Sequence, residues 1–372
     1  MRLQMPHRMF LLVIFWTWMT EAVAIATPEV RPATEESAVE SRCAACVDTQ
    51  DSSTDDQEPA SQLRCVTTEA DERFWLENMA IWHQYSLQEM SLVLGKTPNE
   101  IRDLLSKYDL QTASSMERRS KDRLSIMPYP GGRHPRRGFL EGAIEPQRET
   151  KFSVFTPWSA TSYVVADVPE AIFTNLGLTY LAHTHIPTIW DAQGMKLPIQ
   201  EWQRLDNGEL KSQRELPNGI RFGVRVVPEV DHVWMELSLT NGTAETLSDM
   251  RVQHCLMLAY SEEFSPSSND NKIFHGDYAL VHDPTRRRWL ITSWKPLGRA
   301  WGNPPVPCLH ADPILPNCHP GETTRAQGWI SFFEGQDWEA EIERLERLHW
   351  WEENGSTVDQ NQTLGHGTTF AR

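Results

Sequence analysis

Positive charge is scarce in this sequence: 35 Lys and Arg stand against 51 Asp and Glu, for a formal charge of −16. Nucleic-acid binding needs a surface that neutralises phosphates, so no nucleic-acid partner is expected. A glycine-rich phosphate loop, a dinucleotide fingerprint and a Ser-His-Asp arrangement are all missing, which removes nucleotide-dependent and serine-nucleophile chemistry from first consideration. After Met19 no apolar run is long enough to cross a bilayer, so no membrane span is expected in the mature chain.

What is present begins with residues 1–26. Arg2 and Arg8 precede an apolar run from Met9 to Met19, and Ala22 and Ala24 follow in an Ala-x-Ala arrangement. This pattern predicts a signal peptide and a secreted, periplasmic or cell-envelope location. Export makes the six cysteines candidates for disulfides. Cys308 and Cys318 bracket the Pro-rich stretch "CLHADPILPNC" and are expected to pair and pin it as a loop. Cys43 and Cys46 have redox spacing but lie in a polar tract without strand-helix context, so disulfide tethering, lipid or partner attachment, or no role is expected rather than catalysis. Cys255 reads as a core residue.

Residues 27–72 carry 12 acidic side chains against 3 Arg, a net of −9, with few large apolar residues, and read as a disordered acidic linker. Residues 73–112 then give a three-helix module. Trp75, Met79 and Trp82 share one helical face. Ser86 with Glu89, and Thr97 with Glu100, form two capping boxes, separated by a Gly95 stop, with Pro98 at the first position of the third helix. The order resembles a helix-turn-helix, yet the third helix balances Glu100 and Asp103 against Arg102 and Lys107. A packing or docking module, with a possible protein partner, is the expectation. Residues 113–149 form a basic Pro/Gly connector, in which positions 113–137 hold 7 Lys and Arg against 2 acids.

From residue 150 to 335 the pattern is short runs rich in Val, Ile, Leu and aromatics, separated by turn residues. Asp206-Asn207-Gly208 and Pro217-Asn218-Gly219 are hairpin signals. The fold class expected is mainly β: a large antiparallel β-sandwich, preceded by the small three-helix module and followed by one C-terminal helix over 336–354. In that helix Trp338, Ile342, Leu345 and Leu348 share a face and Glu343 pairs with Arg347. Residues 355–372 read as a disordered tail.

The segment "TYLAHTHIPTIWD" holds His183 and His185. On a strand, residues two apart face the same way about 6.6 Å apart, so the two imidazoles would project together. A metal would need a further ligand, from His254, His310, Asp312, His319 or the thiols, and no tight ligand signature exists, so neither metal nor cofactor is expected. Trp158, Trp190, Trp202, Trp294 and Trp301 border loops where a flat ring could stack on a sugar, although each also reads as core. Arg148-Glu149 is either a polar contact for sugar hydroxyls or an exposed charge pair.

The stretch "HVWMELSLTNGTAETLSDMRVQHCLML", residues 232–258, resembles the central part of the galactose mutarotase (aldose 1-epimerase) family, in which a strand ending in Thr-Asn leads through a polar turn to a strand delivering a catalytic His. "PNCHPGETTRAQGWISFF", residues 316–333, resembles that family's closing Pro-Gly-Glu turn and final strand, and "LAHTHIPTIW" its His-containing segment. The resemblance covers residues 150–335 and implies a sandwich whose concave face holds a sugar. It implies a His as general acid at the ring oxygen and a carboxylate as base. His254 stands at the acid position, helped by His183 or His185. Where the family carries its Glu, "RAWGNPPVPCLHADP" contains only Asp312, so Asp312, Glu322 or Glu334 would have to serve.

The sequence therefore points to an exported carbohydrate-binding or carbohydrate-processing protein. His254, His185, His183 and Asp312 are the catalytic candidates, and Arg148, Trp190, Trp301, Asn303 and His310 the substrate-binding ones. The competing classes are a noncatalytic cell-envelope interaction protein and a metal-dependent enzyme using the His-x-His pair.

Overall fold

Three helices come first among the described residues, and side chains fix their ends. The computed structural model describes residues 63–352 apart from 65, 111–118, 120–121, 134, 136–146, 184–185 and 305. The expected signal peptide, most of the acidic linker, Cys43, Cys46, Cys65, His185, much of the basic connector and the C-terminal tail lie outside the described residues. Helix α1 (Glu69–Glu77) starts where Thr68 accepts from the Asp71 amide, and runs on into a π-helical turn, Asn78–Trp82. Helices α2 (Leu87–Leu94) and α3 (Pro98–Lys107) both carry the expected capping boxes, and Gly95, at φ 65°, closes α2 in the left-handed conformation. Such caps contribute about 1 kcal/mol each by satisfying amides that have no partner inside the helix.

Residues 63, 64 and 66–72, expected as part of the disordered acidic linker, are folded into the structure. Arg64 is buried, donating from Nε to the Pro130 carbonyl at 2.7 Å and from Nη2 to the Tyr129 carbonyl at 2.6 Å, with its guanidinium 3.7 Å from the Trp75 ring centroid. A buried cation is tolerated only with such partners, so these contacts fix the chain at Arg64.

Among the described residues fifteen strands follow: β1 (Ile126–Pro128), β2 (Lys151–Phe155), β3 (Tyr163–Thr174), β4 (Gly177–Leu181), β5 (Gln203–Arg204), β6 (Leu210–Glu215), β7 (Arg221–Pro228), β8 (His232–Thr240), β9 (Arg251–Met257), β10 (Lys272–His275), β11 (Tyr278–His282), β12 (Arg288–Lys295), β13 (Leu297–Gly302), β14 (Cys308–Pro313) and β15 (Thr323–Glu334). One sheet has the order β1-β2-β3-β9-β14-β13 with β4 also on β3, and the other runs β10-β11-β12-β15-β8-β7-β6-β5, all antiparallel. The expected antiparallel sandwich is therefore what the chain forms. Gly208 and Gly219, at φ 83° and 85°, turn the β5–β6 and β6–β7 hairpins that the Asn-Gly pairs predict. β8 and β9, by contrast, are not a hairpin, because the polar turn after Asn241 carries the chain from the second sheet to the first.

Alternation along the strands builds more than one core. Val252 and Leu256 of β9 point between the sheets, where they join Val224, Leu237 and Ile330. Cys255 and Met257 point the other way, into a core shared with Trp82, Val93 and Ile101 of the helical layer. A third apolar layer lies under helix α4 (Trp338–Leu348), where Ile342 and Leu345 meet Trp234, Trp289 and Trp329. α4 stops at Leu348 rather than at residue 354, because His349 takes a left-handed conformation, φ 48°. Leu348 is exposed instead of buried.

Two other expectations change. "CLHADPILPNC" is no disulfide-pinned loop: its first six residues are strand β14, buried throughout, and neither Cys308 nor Cys318 is in a disulfide. Leu309 and Ala311 alternate with Cys308 and His310, a period-2 pattern that the flanking prolines obscure. Within the basic connector, β1 pairs with β2, and Arg133 is held by Glu89, the His83 carbonyl and the Tyr163 hydroxyl, its guanidinium 4.1 Å from the Tyr85 ring centroid and 4.2 Å from that of Tyr260. These described parts of the connector are folded into the structure.

Candidate functional site

The chemistry-bearing side chains collect on the outer face of the first sheet, and a bulge in β3 begins the arrangement. Asp167 is paired with Cys255 and Ala171 with Gln253, so three residues, Val168 to Glu170, oppose the single residue His254. In a regular strand Asp167 and Glu170 would face opposite ways, because parity changes every residue. The bulge resets that parity, and both carboxylates reach the same imidazole. His183 Nε2 lies 2.9 Å from Asp167 Oδ2 and 3.9 Å from Glu170 Oε1. Lys151 of β2 places its ammonium 3.1 Å from the same Asp167 oxygen. Burial alone would raise the Asp167 pKa, but Lys151 and His183 outweigh it and hold the group well below the usual carboxylate range.

Glu170 links this group to a second one on β14. Its Oε2 accepts from Gln253 Nε2 at 2.9 Å and lies 3.9 Å from His310 Nδ1. His310 Nδ1 is 3.0 Å from the His254 carbonyl and donates to it, and Trp301 stacks on the His310 ring, centroids 3.9 Å apart and planes at 13°. Asp312, two residues further along β14, accepts from Arg299 Nε at 2.8 Å, Trp301 Nε1 at 2.7 Å and the His254 amide at 3.1 Å. Burial disfavours a charge on His310, yet the Cys255 thiol and the Glu170 and Asp312 carboxylates outweigh it, and its pKa lies above the ordinary imidazole value. The array runs from Lys151 through Asp167, His183, Glu170 and His310 to Asp312 and Arg299. Only the last reaches well into solvent, its side chain 61% exposed.

The sequence-derived candidates divide on this geometry. His183, His310, Asp312 and Trp301 belong to the array. His183 sits on a bend after β4 rather than on a strand, and His185 lies outside the described residues. His254 takes part through its backbone amide and carbonyl alone. Its imidazole turns inward between the sheets, edge-on to Trp294 with centroids 5.5 Å apart, and is fully buried. Desolvation there lowers its pKa to about 3, so the ring is neutral at ordinary pH. Arg148 is engaged elsewhere, donating to Glu201 at 3.0 Å and to the Leu63 carbonyl at 2.7 Å. Trp190 is buried in the sandwich core, with Nε1 donating to the Thr179 carbonyl at 2.7 Å. Asn303 begins the turn between β13 and β14.

Glu149 is not an exposed partner of Arg148. It is fully buried, 2.6 Å from Arg214 Nε and accepting from the Tyr180 hydroxyl at 2.9 Å. Trp202 and Trp294 are core as well, and Trp158 is partly buried against it. Lys151, Asp167 and Glu170 were absent from the sequence-derived candidates. "YVVADVPEAIF" reads as a strand broken by proline, and nothing in it announces that the bulge turns both acids to one side.

A shallow groove of about 480 Å³ also lies on the outer face of the second sheet, lined by Lys211, Gln213, Arg225, Glu236 and Ser238 among others. Its one aromatic, Phe222, is buried in the core, so the groove offers no stacking surface.

No protein-family model matches the sequence, and no curated protein sequence does. Among solved structures the chain is similar to a putative kojibiose phosphorylase from human microbiome, at 8% identity and TM-score 0.36, covering 63% of this chain and 36% of the phosphorylase. It is similar to a putative aldose 1-epimerase from Escherichia coli K12, at 12% identity and TM-score 0.30, covering 50% of this chain and 97% of the other. A heparan sulfate lyase HepC mutant from Pedobacter heparinus matches at 12% identity and TM-score 0.29, over 54% of this chain and 37% of the lyase. This chain thus spans about a third of the length of the phosphorylase and the lyase. Likenesses of this size assign it to no family.

Proposed function

We propose that this is an exported carbohydrate-binding or carbohydrate-processing protein in which the outer face of the first sheet handles a sugar. The observation that carries the reading is His183 held between two carboxylates, Asp167 at 2.9 Å and Glu170 at 3.9 Å. Anomeric chemistry asks one group to give a proton while another takes one, and an imidazole beside a carboxylate supplies both. Asp167 would orient and charge-stabilise His183 as the acid, and Glu170 would be the base that the closing segment of the sequence does not provide. Trp301 and Arg299, at the solvent end, would meet the sugar hydroxyls. The mutarotase-like motifs of residues 232–258 and 316–333 support the same substrate class.

The test is anomeric exchange of free aldoses followed by two-dimensional exchange NMR, alongside binding to a glycan array, for the unmodified protein, Glu170→Gln and His183→Asn. Both variants should lose exchange or glycan retention by at least about tenfold, in keeping with the contribution of one acid or base. Identical behaviour of all three proteins toward every glycan would sink the reading.

The burial of Asp167 and His183, both without exposed surface, supports a second reading as a noncatalytic cell-envelope interaction protein in which the array only knits β2, β3 and β14 together. In that case Glu170→Gln lowers the unfolding midpoint and leaves glycan retention unchanged.

A further inference from the structure

We propose that Cys255, Cys308 and His310 form a binding site for one thiophilic closed-shell cation, Zn(II) or Cu(I). Cys255 lies on β9 directly opposite His310 on β14, while Cys308 is paired with Met257 two positions along the same ladder. Strand parity puts all three side chains on the face turned toward the helical layer. Their Sγ, Sγ and imidazole nitrogen all lie within 4.8 Å of one another, and all three residues are buried. Cys308 Sγ is 3.1 Å from His310 Nε2. A tetrahedral centre with the usual zinc–sulfur and zinc–nitrogen lengths needs donor atoms roughly 3.5 to 3.8 Å apart, so small side-chain adjustments close the three around one ion.

The surroundings present the donors as a metal site does. His310 Nδ1 donates to the His254 carbonyl at 3.0 Å, which leaves the lone pair on Nε2, the nitrogen beside Cys308. A carbonyl that accepts from the far nitrogen in this way fixes the tautomer and ring orientation of metal-binding imidazoles. Trp301, stacked at 3.9 Å, holds the ring plane. Met257 and Val306 make the adjoining wall apolar. Two sulfurs and one nitrogen favour soft or borderline d10 cations over Mg(II) or Ca(II), which take oxygen ligands. The site borders the His183–Glu170 pair, with His310 Nδ1 3.9 Å from Glu170, but it draws on Nε2 and two thiols that the sugar reading does not use, so it stands whether or not that pair acts on sugars.

The experiment uses the full chain, reduced and freed of metal. Zn(II) is titrated in competition with a chromophoric chelator, Cu(I) likewise under anaerobic conditions, and Co(II) as a spectroscopic probe. The expected result is one equivalent of Zn(II) or Cu(I) per chain and a thiolate-to-cobalt charge-transfer band. C255S and C308S should each weaken binding by more than about 100-fold, beyond the effect of losing a supporting partner, whereas C318S should not. Because the unmodified protein itself reports through the cobalt band and its stoichiometry, a misfolded variant does not decide the matter. Absence of binding by the unmodified protein, binding undiminished in both C255S and C308S, or a Cys255–Cys308 disulfide in the unreduced protein would each overturn the proposal.

Discussion

His83 makes a measurable prediction about acid stability. It is buried where the helical layer meets the first sheet, its ring centroid 4.8 to 6.0 Å from those of Tyr85, Tyr129, Phe155 and Tyr163. Nδ1 donates to the Asn78 carbonyl at 3.0 Å and Nε2 accepts from the Ser153 hydroxyl at 2.7 Å. Desolvation lowers its pKa to about 3; the Asn78 carbonyl works against that, and the nearby Arg133 and Arg64 cations add to it. The unfolded chain takes up a proton near 6.5 whereas the folded chain resists until about 3. Stability is therefore lost as pH falls from 6.5 toward 3, and levels off below. At about 1.4 kcal/mol per pH unit, His83 costs about 2 kcal/mol at pH 5. Its other neighbours stay silent in this window: the two arginines remain charged, and burial pushes Tyr85, Tyr129 and Tyr163 above their ordinary value. Urea unfolding at pH 7 and pH 5 should show the unmodified protein losing about 2 kcal/mol more than His83→Gln between the two. Equal losses would refute the reasoning, whatever the variant costs at pH 7.

Glu149→Gln should cost about 3 to 5 kcal/mol in thermal denaturation by leaving the Arg214 guanidinium buried without its counter-charge, and a loss below about 1 kcal/mol would mean that water reaches Arg214. Gly328 lies opposite Trp294 on neighbouring strands, and a methyl group there would stand 2.6 Å from the indole. Gly328→Ala should accordingly cost about 1 to 3 kcal/mol, with part of it recovered when Trp294→Phe makes room, as read from urea midpoints. Thr97→Ala should remove about 1 kcal/mol through the lost capping box of α3, a loss that Ser substitution at Thr97 restores.

Local signals in the sequence survive folding because their cause is local. Ser86–Glu89 and Thr97–Glu100 need only their own turn of helix, and the hairpin glycines only their own backbone angles, so both are legible and both are found. Strand β14 was hidden because proline and cysteine dominate its surroundings, although Leu309 and Ala311 alternate correctly. The site was half legible. His183, His310 and Asp312 stand out by residue type, but which face His254 presents depends on sheet pairing, and partnership between Asp167 and Glu170 depends on a bulge set by the register with β9. Both are non-local facts. Glu149 shows the same limit: its partner Arg214 is 65 residues away.

β9 has a practical consequence for anyone who trims this protein. Because Cys255 and Met257 lean into the helical layer while Val252 and Leu256 fill the sandwich, the strand is a party wall. A fragment beginning at residue 150, the natural cut if the sandwich were taken as the unit, would remove α1 to α3 and β1 at once. It would leave Met257 and Val165 facing water and give β2 an open edge, a template for another chain. Such a piece should self-associate, and any cut that keeps the helical layer also has to keep Leu63, whose carbonyl Arg148 holds.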